Sequence, residues 1–250
     1  MFILQYDKKT NCMSADVATA AEMIQVKAWI NNQDLFEIMR VCDYEDVSFS
    51  ETDIPVGSIE FCERVLGKKI TPINIPPCLW EHDFTGRTVG IVNKPTLVRE
   101  ICAHNRLFIK SATKCKADYC GVYHWNDKIP NDDLYFFSTV VNPIAEWRCF
   151  VWNGKLLDIR RYLGDFTTTL TEKDIKDIKN MIQIIDRNFK NAMPAYTIDI
   201  ARLEESDDIV IMEVHNFVAC GLYGFEQVEL VPMLIAGIKT ERSGSHAVLL

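Results

Sequence analysis

Tyr196-Thr-Ile-Asp-Ile-Ala-Arg-Leu203 and Asp208-Ile-Val-Ile-Met-Glu-Val-His-Asn216 are the most informative stretches of the chain, because each is a short apolar run with an acidic residue inside it. Side chains alternate between the two faces of a strand, so Glu213 and His215 share one face of the second run. If the two runs pair as neighbouring strands, Asp199 and Glu213 converge. Two adjacent buried carboxylates cost several kcal/mol unless a positive charge lies between them, and a divalent cation bound by oxygen atoms is a common solution. The pattern therefore predicts a metal site on a pair of strands.

A purely structural role is the alternative for these carboxylates. In that interpretation Asp199 and Glu213 lie at strand ends in water, or each forms an ordinary ion pair with an arginine. The charges in the rest of the chain bear on the choice.

The composition is that of a globular protein. The chain has 250 residues and a mass of 28.7 kDa, which suits one large domain or two closely joined small ones. Its 48% hydrophobic and 25% charged residues are typical of a soluble protein. The net charge of −8 argues against an extended surface for nucleic acid, since such a surface needs clustered Lys and Arg.

Neither a membrane span nor a disulfide framework is predicted. The longest apolar stretch, residues 228–238, contains Glu229 and Pro232 and is too short to cross a bilayer. The N-terminus lacks the pattern of a secretion signal, and nine scattered cysteines fit reduced thiols. We expect a cytoplasmic protein with no membrane partner. A zinc site among the Cys and His residues of 102–124 is disfavoured because no Cys-x-x-Cys pair occurs there. No pattern indicates the oligomeric state.

The first third of the chain predicts a small α/β lobe. Residues 2–6 form an opening strand, 16–30 a helix, and a second helix follows Pro55 and ends at Gly67. Prolines at 72, 76 and 77 then interrupt the chain. We therefore expect an N-terminal lobe over 1–85, a main domain over 86–241 and a flexible tail over 242–250.

The main domain is predicted to be α+β with an antiparallel sheet. Strands are expected at 107–110, 135–141, 146–152 and 155–162, with Asn153-Gly154 as a hairpin signal between the last two. Thr171 and Asp174 fit a capping arrangement for a helix over 172–189, whose apolar stripe belongs to the core. Strands followed by one long helix and the acid-bearing pair describe a layered α+β domain.

Cations precede the acidic pair on several of these strands and in the loops beside them. They are Lys110, Lys114, Lys116, Arg148, Arg160 and Arg161. Cations that face carboxylates suggest a polyanion between them, and a nucleoside triphosphate with Mg²⁺ satisfies both groups. The sequence has neither a Walker A loop nor a G-x-G-x-x-G fingerprint. The alternative for each cation taken alone is a solvated charge.

Together these segments resemble the ATP-grasp superfamily, and more closely its RimK-related branch found in phages and bacteria. The resemblance covers roughly positions 55 to 225. The segments that carry it are Pro-Val-Gly-Ser-Ile-Glu-Phe61, Phe-Ile-Lys110, Lys-Ala-Asp-Tyr-Cys-Gly121, Glu-Trp-Arg-Cys-Phe-Val151, Tyr-Thr-Ile-Asp199, Glu-Val-His-Asn216 and Gly-Leu-Tyr-Gly224.

The resemblance implies a nucleotide held between two antiparallel-sheet layers, with 86–241 as the ATP-grasp domain and 1–85 as the lobe that precedes it. Adenine would lie against the connecting strand that contains Ser138 and Val140. Lys110 would contact phosphate from its strand, and Lys116 from the loop above it, with Lys94 as a further phosphate contact.

The catalytic and metal-binding roles are implied in the same way. Arg148 and Lys116 would be the catalytic cations, with Arg148 at the γ-phosphate and at the acyl phosphate formed from it. Arg160 or Arg161 would assist. Asp199 and Glu213 would bind Mg²⁺.

One departure from the family pattern concerns the metal strand. The family has Glu-x-Asn there, whereas this chain has Glu213-Val-His215-Asn216. Either a bulge brings Asn216 to the metal, or the imidazole of His215 replaces the amide oxygen, which suits Mn²⁺ or Zn²⁺ better than Mg²⁺. A third interpretation is a decayed site that only binds nucleotide. We expect a functional site in which Asn216 or water completes the ligand set.

The activity that the resemblance implies is an ADP-forming ATP-dependent carboxylate-amine ligase. Its partners would be ATP, a carboxylate substrate and an amine acceptor of the amino-acid or peptide type, joined through an acyl phosphate. Two alternatives stay open: a kinase-like enzyme of the same fold that phosphorylates its substrate directly, and a nucleotide-regulated module that binds a partner without catalysis.

Overall fold

The N-terminal lobe is built on a small parallel sheet. In this computed structural model, which describes residues 1–31, 36–42, 45–189, 192–204, 206 and 208–244, three strands pair in the order β2-β1-β3. They are β1 (Phe2–Gln5), β2 (Ile38–Val41) and β3 (Ile54–Val56). Parallel neighbours require crossover connections, and helix α1 (Ala15–Ile30) lies in the first of them. Helix α2 (Ile59–Leu66) follows β3.

Local chemistry sets the ends of both helices. The Ser14 and Ser58 hydroxyls accept from backbone N–H groups in the first turns of α1 and α2. Gly67 ends α2 with a φ of 66°, in the left-handed region that glycine adopts without strain. The predicted opening strand and both predicted helices are confirmed to within a few residues.

A second sheet has four antiparallel strands in the order β4-β7-β5-β6. Its elements and the helices that precede it are α3 (His82–Thr85), β4 (Val89–Val92), α4 (Lys94–His104), β5 (Arg106–Ser111), β6 (Cys120–His124) and β7 (Tyr135–Ser138). Leu97 and Ile101 of α4 pack against Leu107 and Ile109 of β5. The predicted strand over 135–141 is too long, because β7 stops at Ser138 and the chain then crosses to the next sheet.

The third sheet is also antiparallel and has the order β11-β10-β8-β9. Its strands are β8 (Pro143–Trp152), β9 (Lys155–Gly164), β10 (Ala195–Leu203) and β11 (Ile209–Asn216). Asn153 and Gly154 join β8 to β9 with φ values of 48° and 70°, as a tight hairpin turn requires. The predicted hairpin and the pairing of the two acid-bearing strands are confirmed.

Helices cover the third sheet. Helix α5 (Glu172–Asn188) begins with a Thr171–Asp174 capping box and packs its apolar stripe on a core that includes Trp147 and Ile198. Helix α6 (Leu230–Ser243) joins the N-terminal lobe in a second core. The observed α+β architecture of two antiparallel sheets beside a small α/β lobe agrees with the prediction.

The predicted C-terminal tail does not begin at residue 242, because Arg242 and Ser243 form the last turn of helix α6. Residues 245–250 lie outside the described residues. All nine cysteines are free. Within the described ranges, no helix combines the length and the apolarity needed to cross a membrane.

Candidate functional site

A cavity of about 530 Å³ lies between the second and third sheets. Phe108, Lys110, Phe136 and Ser138 of β5 and β7 form one wall. The other wall carries the polar groups of β8, β10 and β11: Glu146, Asp199, Glu213 and His215. The crossing segment 139–141, which includes Val140, and the loop 114–117 line the cavity as well.

The register of β10 and β11 brings three metal-ligand types together. Asp199 lies opposite Glu213, and Thr197 lies opposite His215. A register shift follows Asp199, since Ile200 pairs with Ile211. His215 Nε2 is 3.2 Å from Glu213 Oε2 and 3.5 Å from Asp199 Oδ2. One ligand atom from each of Asp199, Glu213 and His215 lies within 4.8 Å of the others.

Cations flank this cluster on both sides. Arg148 donates from Nε and Nη2 to the two oxygens of Asp199 at 2.8 and 2.7 Å, and Lys110 donates to Glu213 from the opposite wall. The five side chains therefore form a line of alternating charge, Lys110–Glu213–His215–Asp199–Arg148. This arrangement neutralises both carboxylates, of which Asp199 is buried and Glu213 half-buried.

The neighbouring charges shift the protonation of the cluster. Burial acts to raise the pKa of Asp199, but Arg148 and His215 keep it below its usual value. Burial likewise opposes ionisation of Glu213, yet His215 and Lys110 lower its pKa. Burial acts to lower the pKa of His215, and the two carboxylates raise it to about 10. The imidazolium therefore supplies the positive charge between the two acids.

The donor set fits a divalent cation. Two carboxylate oxygens and an imidazole nitrogen are ligands that Mn²⁺ accepts readily, and the carboxylates suit Mg²⁺. A metal ion and the imidazole proton are alternatives for the same central charge, because His binds metal in its neutral form.

Asn216 does not join this cluster. Its Nδ2 donates to Gly237 O and to Glu241 Oε2 of α6, each at 3.1 Å, and its Oδ1 accepts from Phe217 N–H. The expectation that Asn216 reaches the metal is corrected: the register is unbroken from Glu213 to Asn216, so strand alternation places His215 beside Glu213, and α6 binds the amide of Asn216.

Arg148 is also covered from the turn that follows β11. Its Nη1 donates to Gly221 O at 3.2 Å, and its guanidinium lies 5.7 and 5.2 Å from the rings of Tyr162 and Tyr223. The two rings stack with centroids 4.9 Å apart. The Gly221–Gly224 segment is thus attached directly to the arginine that is paired with Asp199.

Lys116 lies in the loop between β5 and β6 and lines the cavity. Its Nζ contacts both carboxylate oxygens of Glu60 at 2.9 and 3.1 Å. Glu60 belongs to the first turn of α2, so this contact joins the loop to the N-terminal lobe.

Two predicted phosphate ligands lie away from the cavity. Lys94 donates to Ile129 O and Asn131 Oδ1 in a separate surface groove, so its expected phosphate contact is not supported. Arg161 lies 5.0 Å from the ring of Trp147, on the sheet face opposite Arg148, and is likewise not at the cavity.

Arg160, unlike Arg161, lies on the same face of the third sheet as Arg148. It lies opposite Arg148 in the ladder, but its guanidinium is paired with Asp158 at 2.6 Å. A Cβ on Gly224 would lie 3.8 Å from Arg160 Nη1, which puts the side chain beside the glycine turn.

The family model for the ATP-grasp domain of the R-2-K clade, family 2, matches residues 84–233. This match covers more than half of the chain. The chain belongs to the ATP-grasp superfamily. The resemblance to the ATP-grasp superfamily that was inferred from the sequence is thereby confirmed.

Solved structures share the fold at low sequence identity. D-cycloserine synthetase DcsG superposes with a TM-score of 0.54 and 12% identity, covering 96% of this chain and 99% of its own. D-alanine–D-alanine ligase from Bacillus anthracis gives 0.51 and 12%, with 97% and 98% covered. A RimK-domain ATP-grasp protein from Sphaerobacter thermophilus gives 0.51 and 10%, with 96% and 98% covered. No curated protein matches the chain.

Arg87 is a residue of this ATP-grasp cavity that the sequence did not indicate. It is 5% exposed and lines the cavity, and its Nη1 donates to Thr85 O and Ile211 O at 2.8 and 2.9 Å. Among the described residues no carboxylate pairs with it, and its Nε has no partner. Burial lowers its pKa to about 10. An isolated arginine before a strand gives no sequence signal, because its burial depends on contact with β11.

Proposed function

We propose that this ATP-grasp protein is an ADP-forming ATP-dependent carboxylate-amine ligase. One observation carries the proposal: a cavity between two antiparallel sheets has cations on one side and a cluster of two carboxylates and an imidazole on the other. A nucleoside triphosphate with a divalent cation matches both sets of charges at once.

The cavity suggests an orientation for ATP. Its volume of about 530 Å³ is in the range of small-molecule sites. Ser138 at the end of β7 and Val140 in the crossing segment would contact the adenine. Lys110 and Lys116 would contact the phosphates, and Arg87, which lacks a carboxylate partner among the described residues, offers a further cation.

Asp199, Glu213 and His215 would hold Mg²⁺ or Mn²⁺. When bound, the metal ion would neutralise phosphate charge. The protein groups around it contribute position: Arg148 fixes both oxygens of Asp199, and Lys110 contacts Glu213.

The proposed reaction has two steps. A substrate carboxylate oxygen attacks the γ-phosphorus of ATP, the bond to the β-bridging oxygen breaks, and ADP leaves with that electron pair. The amine nitrogen then attacks the acyl carbon, inorganic phosphate leaves, and the nitrogen loses a proton to give the amide. Arg148 and Lys116 would neutralise the transferred phosphoryl group, so alignment and charge carry the catalysis.

The substrates are proposed to be an amino-acid or peptide-like carboxylate and an amine acceptor. A nucleotide-binding module without catalysis is the alternative, and one observation favours it. His215 Nε2 lies 3.2 Å from Glu213 and 3.5 Å from Asp199, so its imidazolium, together with Lys110 and Arg148, can balance the charge that a metal ion would otherwise balance.

Thermal stabilisation by a nonhydrolysable ATP analogue, with and without Mg²⁺ or Mn²⁺, tests the nucleotide site. A ligand at a hundredfold excess over its Kd stabilises the fold by about 2.7 kcal/mol. We expect a metal-dependent rise in Tm that Lys110→Met and Glu213→Gln remove. Lys94→Met, which changes a cation outside the cavity, is the matched control.

Turnover then separates the ligase from its alternative. ADP and phosphate released only when pools of amino acids are added as both acid and amine would support the ligase. Analogue binding without ADP release under any pool would favour the binding module, and no binding at all would overturn both.

A further inference from the structure

The loop between β5 and β6, residues 112–119, runs between two voids. On one side it lines the cavity proposed for ATP, and on the other it lines a second cavity of about 470 Å³. Lys116 within it has a φ of 48°, an uncommon value for a residue other than glycine. A loop with open space on both faces needs specific side-chain bonds to keep one conformation.

Asp132 supplies those bonds. Its side chain is fully buried, with 0% exposed. It accepts hydrogen bonds from Ser111 Oγ at 2.7 Å and Tyr119 OH at 2.8 Å, which lie at the two ends of the loop. It also accepts from Lys114 Nζ at 3.1 Å and from Thr113 Oγ1 at 3.5 Å. One carboxylate therefore binds three side chains of the loop and that of Ser111, the last residue of β5.

Asp132 is itself fixed to the second sheet. Its backbone N–H donates to Tyr135 OH at 2.7 Å, and that hydroxyl donates to Pro130 O at 2.6 Å. Tyr135 is completely buried in β7. Burial acts to raise the pKa of Asp132, but the hydrogen bonds from Ser111 and Tyr119 keep it well below the usual range. The anchor is thus a charged group in the loop before β7, tied by its backbone to Tyr135 of that strand.

The two lysines of the loop have different partners. Lys114 is bound to Asp132, whereas Lys116 is paired with Glu60, whose side chain is 63% exposed. An exposed ion pair contributes little and exchanges easily. Lys116 can therefore leave Glu60 for a phosphate oxygen, while Lys114 stays with its buried partner.

We propose that Asp132 is a positioning residue that fixes loop 112–119 so that Lys116, and not Lys114, contacts the nucleotide phosphates. This inference rests on the proposed function and adds a division of labour within the same site. Lys114 anchors the loop, and Lys116 is the mobile cation.

The test compares Asp132→Asn with Asp133→Asn, which makes the same charge change at the exposed neighbour. Hydrogen exchange of residues 112–119 is measured without nucleotide, and the Kd of the nonhydrolysable ATP analogue with Mg²⁺ is measured by calorimetry. Asp132→Asn is expected to speed exchange in the loop and to weaken the analogue about tenfold, the size of one lost charge-assisted contact. Asp133→Asn should do neither. If Asp132→Asn folds poorly, Tyr119→Phe is the replacement variant, because it keeps the ring and removes one hydrogen bond to Asp132. It should reproduce part of both effects.

A second comparison shows whether Asp132 acts through Lys116. In a Lys116→Met background, Asp132→Asn should lower the affinity little further, because the group that it positions is gone. An equal loss in both backgrounds, or unchanged exchange in the loop, would overturn the inference. If the wild type itself does not bind the analogue, the proposed function falls and this inference with it, an outcome distinct from a failure of the variant alone.

Discussion

His215 lies between two carboxylates that it contacts at 3.2 and 3.5 Å, and as a ligand it would influence which cation the cluster binds. We expect His215→Asn to shift the metal preference from Mn²⁺ towards Mg²⁺, because an amide oxygen replaces an imidazole nitrogen. The ratio of analogue-dependent Tm rises in the two metals measures this preference. An unchanged ratio would show that His215 is not a ligand.

Arg87 is the second residue whose environment makes a specific prediction. A buried cation without a carboxylate is well placed to gain from an anionic ligand. Arg87→Met should therefore weaken the ATP analogue by about tenfold or more, since a hydrogen bond to a charged group contributes roughly 1.5–3 kcal/mol. Calorimetric titration measures the change. Arg106→Met, at an exposed position of β5, should leave the Kd unaltered.

Single residues also mark the limit of inference from sequence. Strand parity predicts the convergence of Asp199, Glu213 and His215, because it depends only on alternation along two neighbouring strands. It does not predict the partner of Asn216, which is helix α6, some twenty residues later. Arg87 is missed for the same reason, since its burial comes from a distant strand.

Among the elements, strands β8 and β10 are joined by a buried ion pair with two hydrogen bonds between Arg148 and Asp199. Asp199→Asn removes the charge that balances a buried guanidinium, so we expect a loss of about 3–5 kcal/mol in the free energy of unfolding. Asp158→Asn breaks the more exposed pair with Arg160 in the same sheet and should cost under about 1 kcal/mol. Urea unfolding measures both. Equal losses would contradict the structural role given to Asp199.

Helix α6 approaches the end of β11 closely at Gly237. A Cβ there would lie 2.1 Å from the carbonyl oxygen of Phe217, so the helix must move away. We expect Gly237→Ala to destabilise the protein by about 1–3 kcal/mol, as overpacking does. Gly121→Ala, where a Cβ meets nothing within 4 Å, is the control for the same chemical change. A Tm equal to that of the control would contradict this packing.

The elements themselves are largely predictable where the local signals are strong. The capping box of α5 and the Asn153-Gly154 turn follow from adjacent residues alone. The end of β7 at Ser138 does not, because residues 139–141, Thr-Val-Val, are all β-branched and continue the strand pattern while the chain crosses between sheets. Residues of this type are found in a cavity wall as well as in a strand, so the sequence pattern does not distinguish the two.

At the scale of the whole molecule, the Lys116–Glu60 pair joins the N-terminal lobe to the ATP-grasp domain. The pKa of the Glu60 carboxyl is lowered from 4.5 to about 2, first by its own backbone N–H and then by Lys116. A lowered pKa stabilises the fold above the unfolded-state value, and this contribution disappears as the pH falls through the folded-state value. The wild type should therefore exceed Glu60→Gln in stability at neutral pH, by under about 1 kcal/mol for so exposed a pair.

The difference in stability between the wild type and Glu60→Gln should shrink as the pH falls from 4.5 towards 2. Urea midpoints at several pH values measure it, with Glu22→Gln on the exposed face of α1 as the control. A stability difference that grows on acidification would contradict the lowered pKa assigned to Glu60.

The order β11-β10-β8-β9 has a consequence for the newly made chain. The β8–β9 hairpin emerges from the ribosome first, yet the other edge of β8 pairs with β10, which is synthesised only after α5. Until residues 195–203 appear, that edge presents unpaired backbone beside Trp147, Cys149 and Val151, all of which are buried in the finished sheet. Such an edge is a template for pairing with other chains. Nascent-chain protection by chaperones, or slow translation just after the hairpin, would therefore affect the yield of this protein more than its final stability.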